Sequence, residues 1–223
     1  MSNSYKKINT NKKTLIRLFP YINNKNNIND LKIDNDSIHY ISIREVADII
    51  TKIIKKHIYN INNINIHNVT ITDATAGVGG NTISFCKHFK NVNAIEINNT
   101  RYKFLSNNIN VYNLKNIKLY NDNCLNVLAD LYHEVVFIDP PWGGKYYKNI
   151  NKLLLKISSV KIEIIINNLL NKSITKYPPK LIVLKIPKNY DLLYLHNQIK
   201  SDKIFLYSLK KMYIIIIENN NTY

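Results

Sequence analysis

From residue 69 onward the chain reads as short apolar runs separated by amphipathic stretches, each the length of one strand or one helix. Val69-Thr70-Ile71-Thr72-Asp73, Val92-Asn93-Ala94-Ile95-Glu96, Asn116-Ile117-Lys118-Leu119-Tyr120, Val135-Val136-Phe137-Ile138 and Leu181-Ile182-Val183-Leu184-Lys185-Ile186 are rich in β-branched residues, as buried strands are. The intervening stretches predict helices over 81–89, 99–108, 125–131, 160–170 and 192–199. Two last apolar runs, 204–209 and 212–217, lie too close for a crossover helix and predict a hairpin, hence one antiparallel strand at or near an edge. Such alternation predicts an α/β fold: a seven-stranded, mostly parallel, doubly wound sheet with one antiparallel strand.

Upstream the pattern changes. Residues 1–35 are polar apart from the knot Leu15-Ile16-Arg17-Leu18-Phe19, which predicts a frayed terminus, a short helix and an Asn-rich loop. Ser42 with Glu45 three residues on, ahead of apolar Val46, Ile49, Ile50, Ile53 and Ile54, predicts a capping box opening a helix to about His57. The expected organisation is an N-terminal extension and helix over 1–57, followed by one α/β domain over 58–223.

Glycine then singles out two strand ends. The chain has only 5 Gly, and they fall at Gly77, Gly79, Gly80 and at Gly143, Gly144. Elsewhere Asn makes the turns, so these positions need backbone that no side chain crowds. The first cluster, Asp73-Ala74-Thr75-Ala76-Gly77-Val78-Gly79-Gly80-Asn81, joins a strand to a helix. Its acidic strand end would repel a pyrophosphate but attract an amino group. Glu96 ends the next strand roughly 20 residues on, where a carboxylate commonly takes ribose hydroxyls. Together they suit an adenosine with a zwitterionic amino-acid tail, which is S-adenosyl-L-methionine. Asp122, just past the third strand, is placed to accept from the adenine amino group. Asp73 and Asp122 equally suit helix N-caps. The second cluster follows Asp139-Pro140-Pro141-Trp142. Proline locks φ and carries no N–H, so the Asp139 carboxylate and the Asp139 and Pro140 carbonyls form a rigid acceptor set at the carboxyl end of a strand, where α/β folds bind ligands. Acceptors beside an aromatic plane suit capture of a base's exocyclic amine.

Composition narrows the partner. Lys+Arg 31 against Asp+Glu 15 gives a net charge of +16, which favours a polyanion, nucleic acid before membrane. Cys86 and Cys124 are too few for a disulfide framework or a metal site and read as buried thiols. No signal peptide is visible and the Ile runs near Ile164 and Ile214 are too short to span a bilayer, so a soluble, intracellular monomer, cytoplasmic or nuclear and without membrane or metal, is expected.

Gly77-Val78-Gly79-Gly80-Asn81-Thr82 and Asp139-Pro140-Pro141-Trp142-Gly143-Gly144 resemble the trimethylguanosine synthases, RNA cap guanine-N2 methyltransferases. The resemblance runs from about Arg17 to Asn189, with weaker echoes at Arg17-Leu18-Phe19 and Pro187-Lys188-Asn189. It implies a class I (Rossmann-like) methyltransferase fold, S-adenosyl-L-methionine as donor and the 7-methylguanosine cap of an RNA as acceptor. By position Glu96 would hold the ribose, and Ser42, Asp73, Ala76, Gly77, Gly79, Asn81, Ile97, Asp122 and Asp139 would complete the donor side. Trp142 would stack on the methylated guanine, with Tyr147, Lys188 and Asn189 near the cap phosphates. Two features depart from the family: Asp139 stands where its cap enzymes often have Ser, and the N-terminal segment is short and Asn-rich.

The chemistry favours the same assignment. A 7-methylguanine ring is cationic, and an indole face attracts it by roughly 0.5–2 kcal/mol beyond stacking; Trp142 is the only Trp in the chain. Lys145, Lys188 and Lys12 or Lys13 are candidates for the triphosphate. Asp139, Pro140 and Trp142 are the expected catalytic set, accepting the amine's hydrogens and aligning it for methyl transfer. An alternative is guanine-N2 or adenine-N6 methylation of an internal base of ribosomal or transfer RNA, flipped into the pocket. A non-catalytic RNA-binding protein of the same fold is a third reading.

Overall fold

The computed structural model describes residues 10–22, 25–61, 64–201 and 203–219. They belong to two units, Met1–Asn123 and Cys124–Tyr223.

The first unit contains α1 (Lys12–Leu18), α2 (Ser37–Tyr40), α3 (Arg44–Asn60), β1 (Thr70–Asp73), α4 (Gly80–Cys86), β2 (Asn91–Ile95), α5 (Asn99–Val111) and β3 (Ile117–Tyr120). β2 lies parallel to β1, with Asp73 opposite Ala94, and parallel to β3, with Ile95 opposite Tyr120. The short crossings suit parallel strands, because α4 and α5 each return the chain to the same end of the sheet. α5 starts cleanly: the Asn98 side chain accepts from the amides of Thr100 and Arg101, both at 3.0 Å.

α3 starts differently from the expected capping box. Its N-cap is Ile43, which makes no side-chain bond, and the helix runs on to Asn60. Ser42 is instead buried, with its hydroxyl accepting from the Asn81 side-chain amide at 3.0 Å. A tertiary partner has taken the hydroxyl that a helix end would otherwise use. The buried stripe of α3 (Ala47, Ile50, Thr51, Ile54, His57, Ile58) has helical spacing, and the Thr51 hydroxyl meets that of Ser84 on α4 at 2.9 Å.

The N-terminal segment is a packed part of this unit. Leu15, Leu18, Phe19, Ile28, Leu31 and Ile33 share one buried cluster with Ala76, Val78, Ile83, Ala94, Leu105 and Ile109. Residues Lys25–Asp30, expected as loop, form a 3-10 helix. Asn108 fastens the segment: its carbonyl accepts from the Lys32 amide at 2.7 Å, and its amide donates to the Lys32 and Val78 carbonyls at 2.9 Å each. Asp34, fully buried, accepts from the Ser37 amide and hydroxyl and faces Arg101. Burial works to raise its carboxyl, but Ser37 and Arg101 together hold it below the usual carboxylate range. Of the expected frayed terminus, residues 1–9 lie outside the described residues.

The second unit contains α6 (Cys124–Val127), β4 (Val135–Ile138), β5 (Lys156–Ile157), β6 (Val160–Lys161), α7 (Ile162–Leu170), β7 (Leu181–Pro187), α8 (Leu192–Gln198), β8 (Ile204–Ser208) and β9 (Met212–Glu218). β4 and β7 are parallel; β9 runs antiparallel to both β7 and β8. β5 and β6 form a small hairpin turning at Ser158, whose φ of 54° is left-handed. It shortens the helix expected over 160–170, which begins at Ile162.

The main strands follow the order β3-β2-β1 in the first unit and β4-β7-β9-β8 in the second. This is the expected α/β class, seven strands of mostly parallel sheet with β9 as the antiparallel strand beside the edge strand β8.

Candidate active site

In the first unit the turn after β1 is built around two carboxylates. Asp73, 1% exposed, accepts from the Thr82 hydroxyl at 2.6 Å and from the Thr75 amide at 3.3 Å, so it ties the turn to α4. Glu96, 7% exposed, accepts from the Gly77 amide through Oε2 at 2.8 Å and from the Asn98 amide through Oε1 at 2.7 Å. Each carboxylate oxygen carries a further acceptor site, so the pinned group is oriented to take hydroxyl donors. Burial raises the Glu96 carboxyl; the amides of Asn98 and Gly77 and the Arg101 charge oppose the shift without cancelling it.

Gly77 and Gly79 have φ of +56° and +105°, and they differ in what surrounds them. A Cβ on Gly77 would meet nothing within 4 Å, so the turn opens onto space there, whereas one on Gly79 would press on Leu105 at 3.0 Å. Gly80 is a packing position: its Cβ would lie 2.6 Å from Ile41 and 3.0 Å from the Ser42 carbonyl. Asn81 gives its amide to Ser42, while its buried Oδ1 has no hydrogen-bond partner among the described residues. A buried acceptor without a donor calls for a ligand or water. The Ala76 amide is spent on the Ile95 carbonyl, at 2.9 Å. Ile97 is 63% exposed beyond the end of β2, and the half-buried Asp122 accepts from the Asn123 amide at 2.6 Å.

In the second unit β4 ends at Ile138 and delivers Asp139-Pro140-Pro141-Trp142. Asp139, 17% exposed, meets the Lys185 ammonium at 2.6 Å. Burial raises the Asp139 carboxyl, and Lys185 opposes it. Trp142 is half-buried and lines a cleft of about 220 Å³ with Tyr146, Tyr147, Ile150, Leu153 and Lys156. Tyr147 packs edge-on against the indole at 5.3 Å. The indole N–H is buried and has no acceptor among the described residues. Gly143, with φ of 94°, turns the chain into the 3-10 segment Gly144–Asn149.

The expected phosphate contacts divide. Asn189 spends both amide hydrogens on the Tyr147 and Ile150 carbonyls, at 2.7 and 2.6 Å, so it clamps the loop that carries Tyr147. Lys188 is exposed, donates to the Ser208 hydroxyl and lies 4.0 Å from the Tyr213 ring centre. Lys145, Lys12 and Lys13 are exposed. Lys185 is a residue that sequence reasoning passed over as part of an apolar run. A cation within Leu181–Pro187, every residue of which is buried, was the available signal.

A family model described as RNA cap guanine-N2 methyltransferase matches residues 68–222. Uncharacterized protein L320 of Acanthamoeba polyphaga mimivirus is 37% identical over 219 residues, covering 90% of this chain and 84% of that protein. Trimethylguanosine synthase of Schizosaccharomyces pombe is 33% identical over 84 residues, 34% of this chain and 35% of that enzyme. Among solved structures, precorrin-6y C5,15-methyltransferase from Geobacter metallireducens GS-15 aligns with a TM-score of 0.55 at 18% identity, covering 80% of this chain and 89% of that one. The putative methyltransferase yhhF from Escherichia coli gives 0.51 at 15% identity, covering 75% and 85%. At those identities the likeness is one of fold. No helix among the described residues is long and apolar enough to cross a membrane.

Proposed function

The chain belongs to the RNA cap guanine-N2 methyltransferase family, and from that premise we propose that it transfers a methyl group from S-adenosyl-L-methionine to the exocyclic N2 of a 7-methylguanosine RNA cap. Residues 58–223 form the proposed methyltransferase domain and 1–57 its extension. The observation that carries the acceptor half is Trp142, the sole indole, half-buried on a cleft directly after a rigid carboxylate turn rather than packed in the core.

The donor half fits the turn after β1. Glu96, pinned by two amides, is oriented to accept the ribose hydroxyls. Gly77 leaves open space for close approach of the backbone, and the unpartnered Asn81 Oδ1 offers an acceptor to an ammonium group. Asp73 acts through the turn it ties to Thr82, and its charge favours a cationic tail. Ser42 holds Asn81 in place, while Ile97 and Asp122 supply an apolar contact and an acceptor for the adenine. The bound donor supplies an electrophilic methyl group. Asp139 and the Pro140 carbonyl accept the hydrogens of the acceptor amine and direct its lone pair, and Trp142 carries the cationic base. Tyr147, Lys145 and Lys188 meet the cap phosphates, with Asn189 holding Tyr147 in position.

Asp139 also supports a second reading, methylation of an internal RNA base, because a carboxylate serves amines of guanine and adenine alike. Incubation with labelled donor and 7-methylguanosine-capped, unmethylated-capped or uncapped structured RNA separates the two. Cap methylation requires label in di- or trimethylguanosine and inhibition by free 7-methylguanosine triphosphate. Label confined to internal nucleosides, unaffected by that competitor, would replace the first reading with the second.

A further inference from the structure

Resting on the acceptor reading above, we propose that Lys185 is a positioning residue whose one ammonium group locks the Asp139 carboxylate and the Trp142 indole together as a single acceptor unit. Lys185 is the one charged residue of β7, and it is only 4% exposed. The register places Ile138 opposite Leu184, so the residues that follow them are Asp139 and Lys185, and their side chains meet at 2.6 Å. The same ammonium lies 5.5 Å from the centre of the Trp142 ring. On β9 the residue beside Lys185 is Ile214, and the loop after Asp139 contributes Pro140 and Trp142; β7 brings the Lys185 charge to Asp139.

Stability alone does not explain such a pair. A buried ion pair is seldom better for folding than apolar residues of the same volume, and every other position of this strand is apolar. What the pair adds is orientation. Oδ2 is held by the lysine, which fixes the plane of the carboxylate that meets the amine. The cation also fixes the distance between that carboxylate and the indole that carries the base, while Tyr147 braces the ring at its edge. The lysine further opposes the rise that burial imposes on the Asp139 carboxyl, which favours the form that accepts hydrogen bonds.

The sole tryptophan makes this directly readable. Intrinsic fluorescence of ligand-free wild type, K185M, K185R and D139N/K185M is recorded from pH 5 to 8, alongside kcat, KM and donor Kd with capped RNA. In wild type and K185R any pH dependence of the emission maximum lies at lower pH than in K185M. In K185M it shifts and becomes pH-dependent, as the carboxylate left without its cation titrates. D139N/K185M shows the shift without the pH dependence, and it reads the coupling even should K185M fail to fold. K185M loses at least tenfold in kcat with unchanged donor Kd, the acid limb of its kcat profile moving to higher pH, and K185R restores most of the rate. Emission in D139N/K185M identical to wild type would overturn the proposal, as would a K185M kcat profile superimposable on wild type. If wild type methylates no RNA, the functional reading fails, and the fluorescence comparison still decides the role of Lys185.

Discussion

Glu96, in the proposed donor site, shows how far two amides can settle the orientation of one side chain. With the Gly77 and Asn98 N–H groups fixing its oxygens, the carboxylate would meet the proposed donor's ribose diol without the entropy cost of ordering a free side chain. Glu96→Gln keeps the size but replaces one acceptor oxygen by a donor that must face an amide or a hydroxyl. Hydrogen bonds to charged groups contribute about 1.5–3 kcal/mol, so donor affinity measured by calorimetry should fall by roughly 10–150-fold. Turnover at saturating donor should change far less. Because burial raises the Glu96 carboxyl, wild-type donor affinity should also weaken with acid at a higher pH than for an exposed glutamate. His133 gives a prediction on stability rather than binding. Burial pushes its imidazole down to about 4 from 6.5, so between these values the unfolded chain binds a proton that the folded chain does not. Stability therefore rises with pH across that window and is fully present above it. The difference is on the order of 3 kcal/mol at about 1.4 kcal/mol per pH unit. In urea titrations at pH 7 and pH 5, His133→Gln should remove much of the wild-type drop in midpoint on acidification.

Between elements, the decisive contacts are those of the N-terminal segment with the turn after β1, the proposed donor turn. Phe19 is 1% exposed in a cluster with Ala76 and Val78, the residues flanking Gly77. Phe19→Ala should cost about 3–5 kcal/mol, read as a lower Tm, and Leu18→Ala slightly less. Gly80→Ala puts a methyl 2.6 Å from Ile41; overpacking of this kind costs about 1–3 kcal/mol, and it should also weaken donor binding by displacing Ser42 from Asn81. The apolar runs that became β1 to β4 and β7 to β9 were legible because each is a short β-branched stretch bounded by turn residues. The N-terminal packing was not legible. Ile28, Leu31 and Ile33 are scattered among Asn and Asp with no single period, and their burial depends on a surface formed by residues 76–109. Ser42 misled for a related reason: S-x-x-E is a local signal, and a tertiary bond from Asn81 overrode it. The glycine clusters stood out because the chain is so poor in glycine. Lys185 was hidden inside an apolar run, and its partner is distant in sequence.

At the scale of the whole molecule, the charge of +16 predicts how the enzyme meets a long substrate as opposed to a short one. Between Pro140 and Lys161 the chain carries five lysines and no Asp or Glu, and Lys145, Lys148, Lys152 and Lys156 are exposed. On the proposed reading, a basic loop beside a base-sized cleft would attract the phosphates of the RNA that follows the cap, and each neutralised phosphate would release counterions. For single strands the logarithm of affinity falls with that of salt by about 0.7 per contact, so four contacts would weaken binding about 50-fold between 50 and 200 mM salt. A cap dinucleotide, with few phosphates beyond the triphosphate, should lose much less over the same range. K148Q/K152Q should flatten the salt dependence of KM for a capped oligoribonucleotide while inhibition by 7-methylguanosine triphosphate stays the same. Equal salt slopes for the oligonucleotide and the dinucleotide would mean that the basic surface takes no part in holding the transcript, leaving the base and its triphosphate to supply all of the affinity.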